Sequence, residues 1–167
     1  LVIAGNGRIT TISSIAGILS PPGLGVYSMS KHAMEAFGDA LAAEMAPLGV
    51  QVSLVEPGNF RSEISRTAAK RTGVESPQAD RSQYPEPDAV ASAVLHSLSD
   101  ANPRRRYMVT PNATEAEYTI SKAIEELVQL NQHQPFAYDR KALVEMLDAE
   151  LAQHAVNQHL QVQFAHA

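Results

Sequence analysis

Residues 50–58, VQVSLVEPG, are apolar at most positions until Pro57 and Gly58 cut the run short. A strand with one solvated face alternates apolar and polar side chains, so a run like this belongs to a strand covered on both faces, as in parallel sheets. The preceding sequence supplies its partners. Residues 8–13, RITTIS, form a β-rich run after the turn-prone GNG at 5–7 and predict a first strand. The segment ILSPPGLG holds two prolines and two glycines and predicts an irregular loop leading to a helix that begins near Tyr27. That helix is expected to run to about Met45, where Pro47 and Gly49 stop it. Its apolar positions Met34, Phe37, Leu41 and Met45 recur at steps of three and four and predict a core-facing stripe. Ala33, Ala36, Ala40 and Ala43 make a neighbouring small-residue face that permits close approach by a second helix. Strand, helix and strand make a βαβ unit, and the expected class is α/β.

Beyond Gly58 the pattern loosens. Residues 59–87 are polar and broken by Gly73, Pro77, Pro85 and Pro87, leaving room for at most a short helix around 61–70. Residues 88–98 place Val90, Val94 and Leu98 on one helical face, and RYMVT at 106–110 predicts another short strand with Met108 and Val109 in the core. Arg104 to Arg106 are expected in a solvated turn before it. The last third is helical: Thr114 and Glu117 form a T-x-x-E capping box, Pro135 separates two helices, and Asp139 caps the second, which carries Leu143, Leu147 and Leu151. The Gln/His-rich tail is expected to fray.

With 167 residues and 44% hydrophobic content the chain can build an ordinary core, while a net charge of −5 offers nothing to attract a nucleic acid. Zero cysteines exclude disulfides and thiolate metal sites, and fit a reducing, cytoplasmic setting. No apolar run approaches the roughly 20 residues that span a bilayer. His154 and His159 stand five apart, on different helical faces, and no metal site is expected. The N-A-T string at Asn112 would accept a glycan only in a secreted protein.

Chemistry concentrates in residues 13–31. On a helix starting at Tyr27, Lys31 is the i+4 neighbour, so phenol and ammonium leave one face a turn apart. A nearby positive charge favours the phenolate and makes tyrosine a usable acid or base. Ser14 ends the first strand, and its hydroxyl can meet a substrate oxygen if the loop folds back over the helix start. Such a group can protonate a carbonyl oxygen or deprotonate an alcohol.

The stretches GRITTISSIAG, YSMSKHA and VEPGNFRS resemble the carboxy-terminal half of a short-chain dehydrogenase/reductase. The family's patterns are N-[IV]-S-S-x-x-G, Y-x-[AS]-[ST]-K and P-G-x-x-x-T. The resemblance implies that Ser14, Tyr27 and Lys31 are catalytic. It also implies that Tyr27, Lys31, Pro57, Gly58 and Ser62 line the site of an NAD or NADP cofactor, Ser62 standing for the usual threonine. Thr11 replaces a frequent asparagine, and Met29 takes a usually small position.

The implied fold is the carboxy-terminal part of a Rossmann-like, doubly wound parallel sheet with extra carboxy-terminal helices. Residues 1–112 would be the catalytic βαβ part and specificity loop, and residues 113–167 a helical extension. The implied substrate is a small alcohol or carbonyl compound, and the implied full-length assembly a homodimer or homotetramer, with neither nucleic acid nor membrane as partner.

The family's T-G-x-x-x-G-x-G phosphate loop and N-A-G segment are not found in the sequence. The chain therefore reads as a fragment, inactive alone, of an oxidoreductase. The alternatives are a truncated, non-catalytic chain acting through helix-mediated association, and the family's epimerase or dehydratase branch.

Overall fold

In the computed structural model residues 7–73 and 81–164 are described, and the chain divides into two compact units, Leu1–Lys122 and Ala123–Ala167. The turn expected at residues 5–7 and the end of the tail lie partly outside the described residues. Among the described residues eight strands and α-helices follow in chain order: β1 (Arg8–Ile12), α1 (Gly25–Met45), β2 (Gln51–Pro57), α2 (Ile64–Thr72), α3 (Asp88–Ser99), β3 (Arg106–Val109), α4 (Ala113–Asn131) and α5 (Arg140–Phe164).

The three strands form one parallel sheet in the order β1-β2-β3, with Arg8 opposite Gln51 and Leu54 opposite Arg106. β2 is buried from Val52 to Glu56 because helices cover both of its faces. Side chains alternate across a strand, and their contacts show which helix lies where. Leu54 meets α1 at Gly38, and Glu56 shares Arg106 with Glu35 of α1. Val55, between them, packs with Ala93 of α3 and Tyr107 of β3, against which Val90, Val94 and Val109 also lie. The arrangement is the α/β, doubly wound one that the resemblance implied.

Five details differ from the sequence-based expectations. The buried residues of α1 are Ser28, Glu35 and Gly38, whereas Phe37 of the expected stripe is 60% exposed. Gly38 lets the helix backbone rest on Leu54 while Glu35 reaches an arginine, and these two constraints set the rotation of α1. On α3, Ala93 and Ser97 are buried and Leu98 is exposed. Ser97 takes that place because its hydroxyl bonds the Thr10 hydroxyl at 2.8 Å.

The arginine run is a structural hub rather than a solvated turn. Arg105 donates to the carbonyls of Val52 and Gly38 and to Asp39, Arg106 pairs with three carboxylates, and the Arg104 guanidinium lies 4.4 Å over the Tyr107 ring. In β3 the fully buried residue is Tyr107, against whose cluster Val109 packs as expected, while Met108 is only half-buried; the Tyr107 hydroxyl accepts the Arg104 N–H and meets His96 Nδ1, each at 2.8 Å. Finally, α4 is capped by Asn112, whose Oδ1 accepts the Glu115 N–H at 2.9 Å, so the T-x-x-E box begins inside the helix.

In the second unit, Asn131 brackets the turn after α4 by bonding both the N–H and the carbonyl of Tyr138 at 2.9 Å. His133 in that turn takes a left-handed φ of 58°. Asp139 caps α5 as expected, accepting the Ala142 N–H at 2.8 Å. Leu147 and Leu151 are exposed. Among the described residues no helix is long and apolar enough to cross a membrane.

Candidate active site

Parallel strands deliver their carboxyl ends to one side of a sheet, and ligands of open α/β sheets bind there. At that side a cleft of about 540 Å³ is lined by Ser14 from the end of β1, Tyr27 and Lys31 from the start of α1, and Pro57, Gly58 and Ser62 from the end of β2 and beyond. All six residues singled out in the sequence meet in this cleft.

Ser14 is buried at the cap of a short 3₁₀ turn, where its Oγ accepts the Ala16 N–H at 3.1 Å and donates to the Pro57 carbonyl at 3.3 Å. The second bond is long, so an incoming oxygen can compete for the hydroxyl proton. Ser13 N–H donates to the Val55 carbonyl at 2.7 Å and ties the end of β1 to β2. Tyr27 stands in the first turn of α1, half-buried. Lys31, one turn on, holds its Nζ 5.8 Å from the Tyr27 ring centroid and donates to the Ile12 carbonyl at 3.1 Å. A cation at this range is attracted by the aromatic ring. Burial lowers the Lys31 pKa, and the nearby Glu35 carboxylate partly offsets that effect.

Pro57 and Gly58 are held from below. Gly58 N–H donates to the Val109 carbonyl at 2.7 Å, and Asn59 N–H donates to Glu115 Oε2 at 2.9 Å. A side chain at Gly58 would run into the Glu115 carboxylate and come within 3.1 Å of Pro111 Cδ. The glycine is therefore demanded by close approach. Opposite, Arg61 pairs with Glu86 and donates to the Ser82 carbonyl at 2.8 Å, joining the segment after β2 to the one before α3 beside the cleft.

The sequence reading missed Glu35, Glu56, Arg106 and Glu115. Two carried a visible signal: Glu35 continues the Tyr27–Lys31 stripe by one more turn, and Glu56 is a charge inside an apolar strand. Arg106 and Glu115 carried none, since their partners are distant in sequence.

Residues 1–73 match the family described as short chain dehydrogenase. An uncharacterized oxidoreductase of Escherichia coli, YbbO, is 39% identical over 110 residues, which are 64% of this chain and 40% of that protein. The mitochondrial D-beta-hydroxybutyrate dehydrogenase of Rattus norvegicus is 34% identical over 128 residues, 60% of this chain and 37% of that protein. The chain thus spans about 40% of the length of these curated relatives. Among solved structures, a short-chain dehydrogenase from Streptomyces avermitilis superposes with a TM-score of 0.59 at 27% identity, covering 78% of this chain and 50% of that one. A short-chain dehydrogenase from Mycobacterium paratuberculosis bound to NAD gives a TM-score of 0.52 at 26% identity over 69% and 48% of the two chains. On the sequence match, the parallel sheet and these relatives together, the chain is similar to the short-chain dehydrogenase/reductases, with residues 1–73 carrying the family's pattern.

Proposed function

We propose that the protein to which these residues belong interconverts an alcohol and a ketone or aldehyde with NAD or NADP. The observation that carries the reading is the meeting of Ser14, Tyr27 and Lys31, from two separate parts of the chain, in one cleft with Pro57 and Gly58. Relatives named for D-beta-hydroxybutyrate and for retinol, and a structural relative bound to NAD, support it.

The residues present fit the nicotinamide end of such a cofactor, because the cleft joins an apolar wall containing Leu19 and Phe60 to the Lys31 ammonium and the Ser62 hydroxyl. When bound, the dinucleotide supplies or accepts the hydride. The chain's own residues manage the proton. The Ser14 hydroxyl turns from the Pro57 carbonyl to the substrate oxygen and orients it. The Tyr27 hydroxyl gives its proton to that oxygen during reduction and takes it back during oxidation. The Lys31 ammonium, anchored by the Ile12 carbonyl, stabilises the tyrosinate and would hold the ribose of a bound cofactor. Substrate choice falls to residues 59–85 and the helices that follow.

A cradle for the cofactor pyrophosphate is missing from the sequence motifs, so we infer that the 167 residues alone do not turn over. The test pairs two measurements. Calorimetric titration of the chain with NADH and NADPH is expected to give no saturable micromolar binding. Joined to whatever in-frame sequence encodes a T-G-x-x-x-G-x-G strand-loop-helix, it is expected to oxidise secondary alcohols, with loss of that activity in Tyr27→Phe. Micromolar binding by the chain alone overturns the inference of inactivity, and an active Tyr27→Phe overturns the mechanism.

A further inference from the structure

Behind Lys31, on the α1 side of the sheet, lies a cluster of charges that the proton transfer above does not use. Glu56 of β2 is 2% exposed and Glu35 of α1 is 8% exposed. A single guanidinium nitrogen, Arg106 Nη1, donates to both: to Glu56 Oε1 at 2.6 Å and to Glu35 Oε2. The second nitrogen, Nη2, is committed to Asp39 at 2.8 and 2.9 Å, and Asp39 also accepts from Arg105. The charged groups facing the pair are thus Arg106 from β3, Asp39 and Lys31 from α1, and, through Asp39, Arg105. Ser13, between β1 and the 3₁₀ turn, brings its hydroxyl near the Gly17 position where Glu35 also passes.

Three carboxylates therefore meet two guanidiniums. Lys31 is the next cation, and its Nζ is bonded to the Ile12 carbonyl and contacts Met34 Sδ rather than a carboxylate. Two buried carboxyl groups on one donor resist being ionised together. Moreover, Glu35 Oε1 is buried without a hydrogen-bond partner among the described residues, an expensive setting for a full negative charge.

We propose that Glu35 and Glu56 share one proton beneath Arg106, and that the charge on this pair sets the field at Lys31. They are positioning residues that act on Tyr27 through Lys31, a consequence that rests on the mechanism proposed above. Glu56 gives up that proton to solvent as pH crosses neutrality. Once doubly ionised, it holds Lys31 firmly in the ammonium form. Singly protonated, it leaves Lys31 to the burial that opposes its charge. Burial, and Glu35 beside it, raise the Glu56 pKa to about 7 against the pull of Arg106, in accord with a proton shared near neutrality.

The test needs no turnover. In the isotope-labelled chain, the side-chain carboxyl carbons of Glu35 and Glu56 and the Lys31 Nζ are followed by NMR from about pH 5 to about pH 9, a span that brackets the neutral range. A midpoint in the neutral range is expected for the Glu56 carboxyl, with a step at the same pH in the Glu35 and Lys31 signals. Glu56→Gln is expected to abolish that step. Glu35→Gln is expected to abolish it too and to move the midpoint of Lys31 downward. Carboxyls that both titrate in the ordinary acid range, or a Lys31 signal indifferent to either substitution, overturn the proposal. If Glu35→Gln does not fold, the unsubstituted chain and Glu56→Gln decide the matter. Failure of the mechanism itself is read separately, from turnover by Tyr27→Phe.

Discussion

The seating of α1 on the sheet carries Tyr27 and Lys31 into the cleft, and one substitution tests it. A Cβ at Gly38 would lie 2.7 Å from Leu54 Cδ2, 2.9 Å from Cδ1 and 3.0 Å from Cγ. Leu54 is 0% exposed and has nowhere to retreat. Overpacking a buried site costs about 1–3 kcal/mol. Alanine is a better helix former than glycine by about 1 kcal/mol, which offsets part of that cost. Gly38→Ala is therefore expected to destabilise the chain by about 1 kcal/mol net, or a few degrees in Tm. Leu54→Ala alone is expected to cost about 2–5 kcal/mol through the cavity it opens. In the Leu54→Ala background the atoms that clash are gone, so adding Gly38→Ala should stabilise by about 1 kcal/mol, reversing sign. Urea unfolding of the four proteins, followed by far-ultraviolet circular dichroism, closes the cycle. Additive effects within about 0.5 kcal/mol would refute the close approach of helix to sheet.

Two further outcomes are expected. Glu115→Ala strands the Asn59 N–H that now meets its carboxylate, so it should lower stability by about 1–3 kcal/mol and speed hydrogen exchange at that amide; Glu115→Gln keeps an acceptor and should largely restore both. The Glu56 carboxyl binds its proton more tightly in the folded chain, with a pKa raised to about 7 chiefly by burial, so its contribution to stability is present below the ordinary carboxylate range and is lost as pH rises through about 7. The urea midpoint should accordingly fall between mildly acidic and mildly alkaline buffer, and Glu56→Gln should flatten that fall; an unchanged slope in the variant would assign it to other groups.

The residues proposed to manage the proton were legible because they are local. Tyr27 and Lys31 are one helical turn apart, and the helix period alone puts them on one face. Ser14 and the Pro57–Gly58 pair each end a strand, and parallel strands end on the same side, so the βαβ pattern was enough to bring them together. The same logic exposed its limit in α1. Hydrophobic spacing nominated Phe37 for the core, but the helix is turned by one close contact at Gly38 and one buried carboxylate at Glu35.

The sequence by itself determined the parallel βαβ unit, its strand ends and the serine, tyrosine and lysine they display, since each follows from the period of a strand or helix and from the proline and glycine breaks between them. Only the tertiary structure decided the electrostatics beneath them. Arg106 stands 71 positions from Glu35 and 50 from Glu56, and Glu115 stands 56 from Asn59. No local periodicity encodes such distances. Those partners meet because neighbouring strands align in register and a helix crosses over them, and burial then turns Arg106 into the counterion of the two glutamates behind the catalytic lysine proposed here.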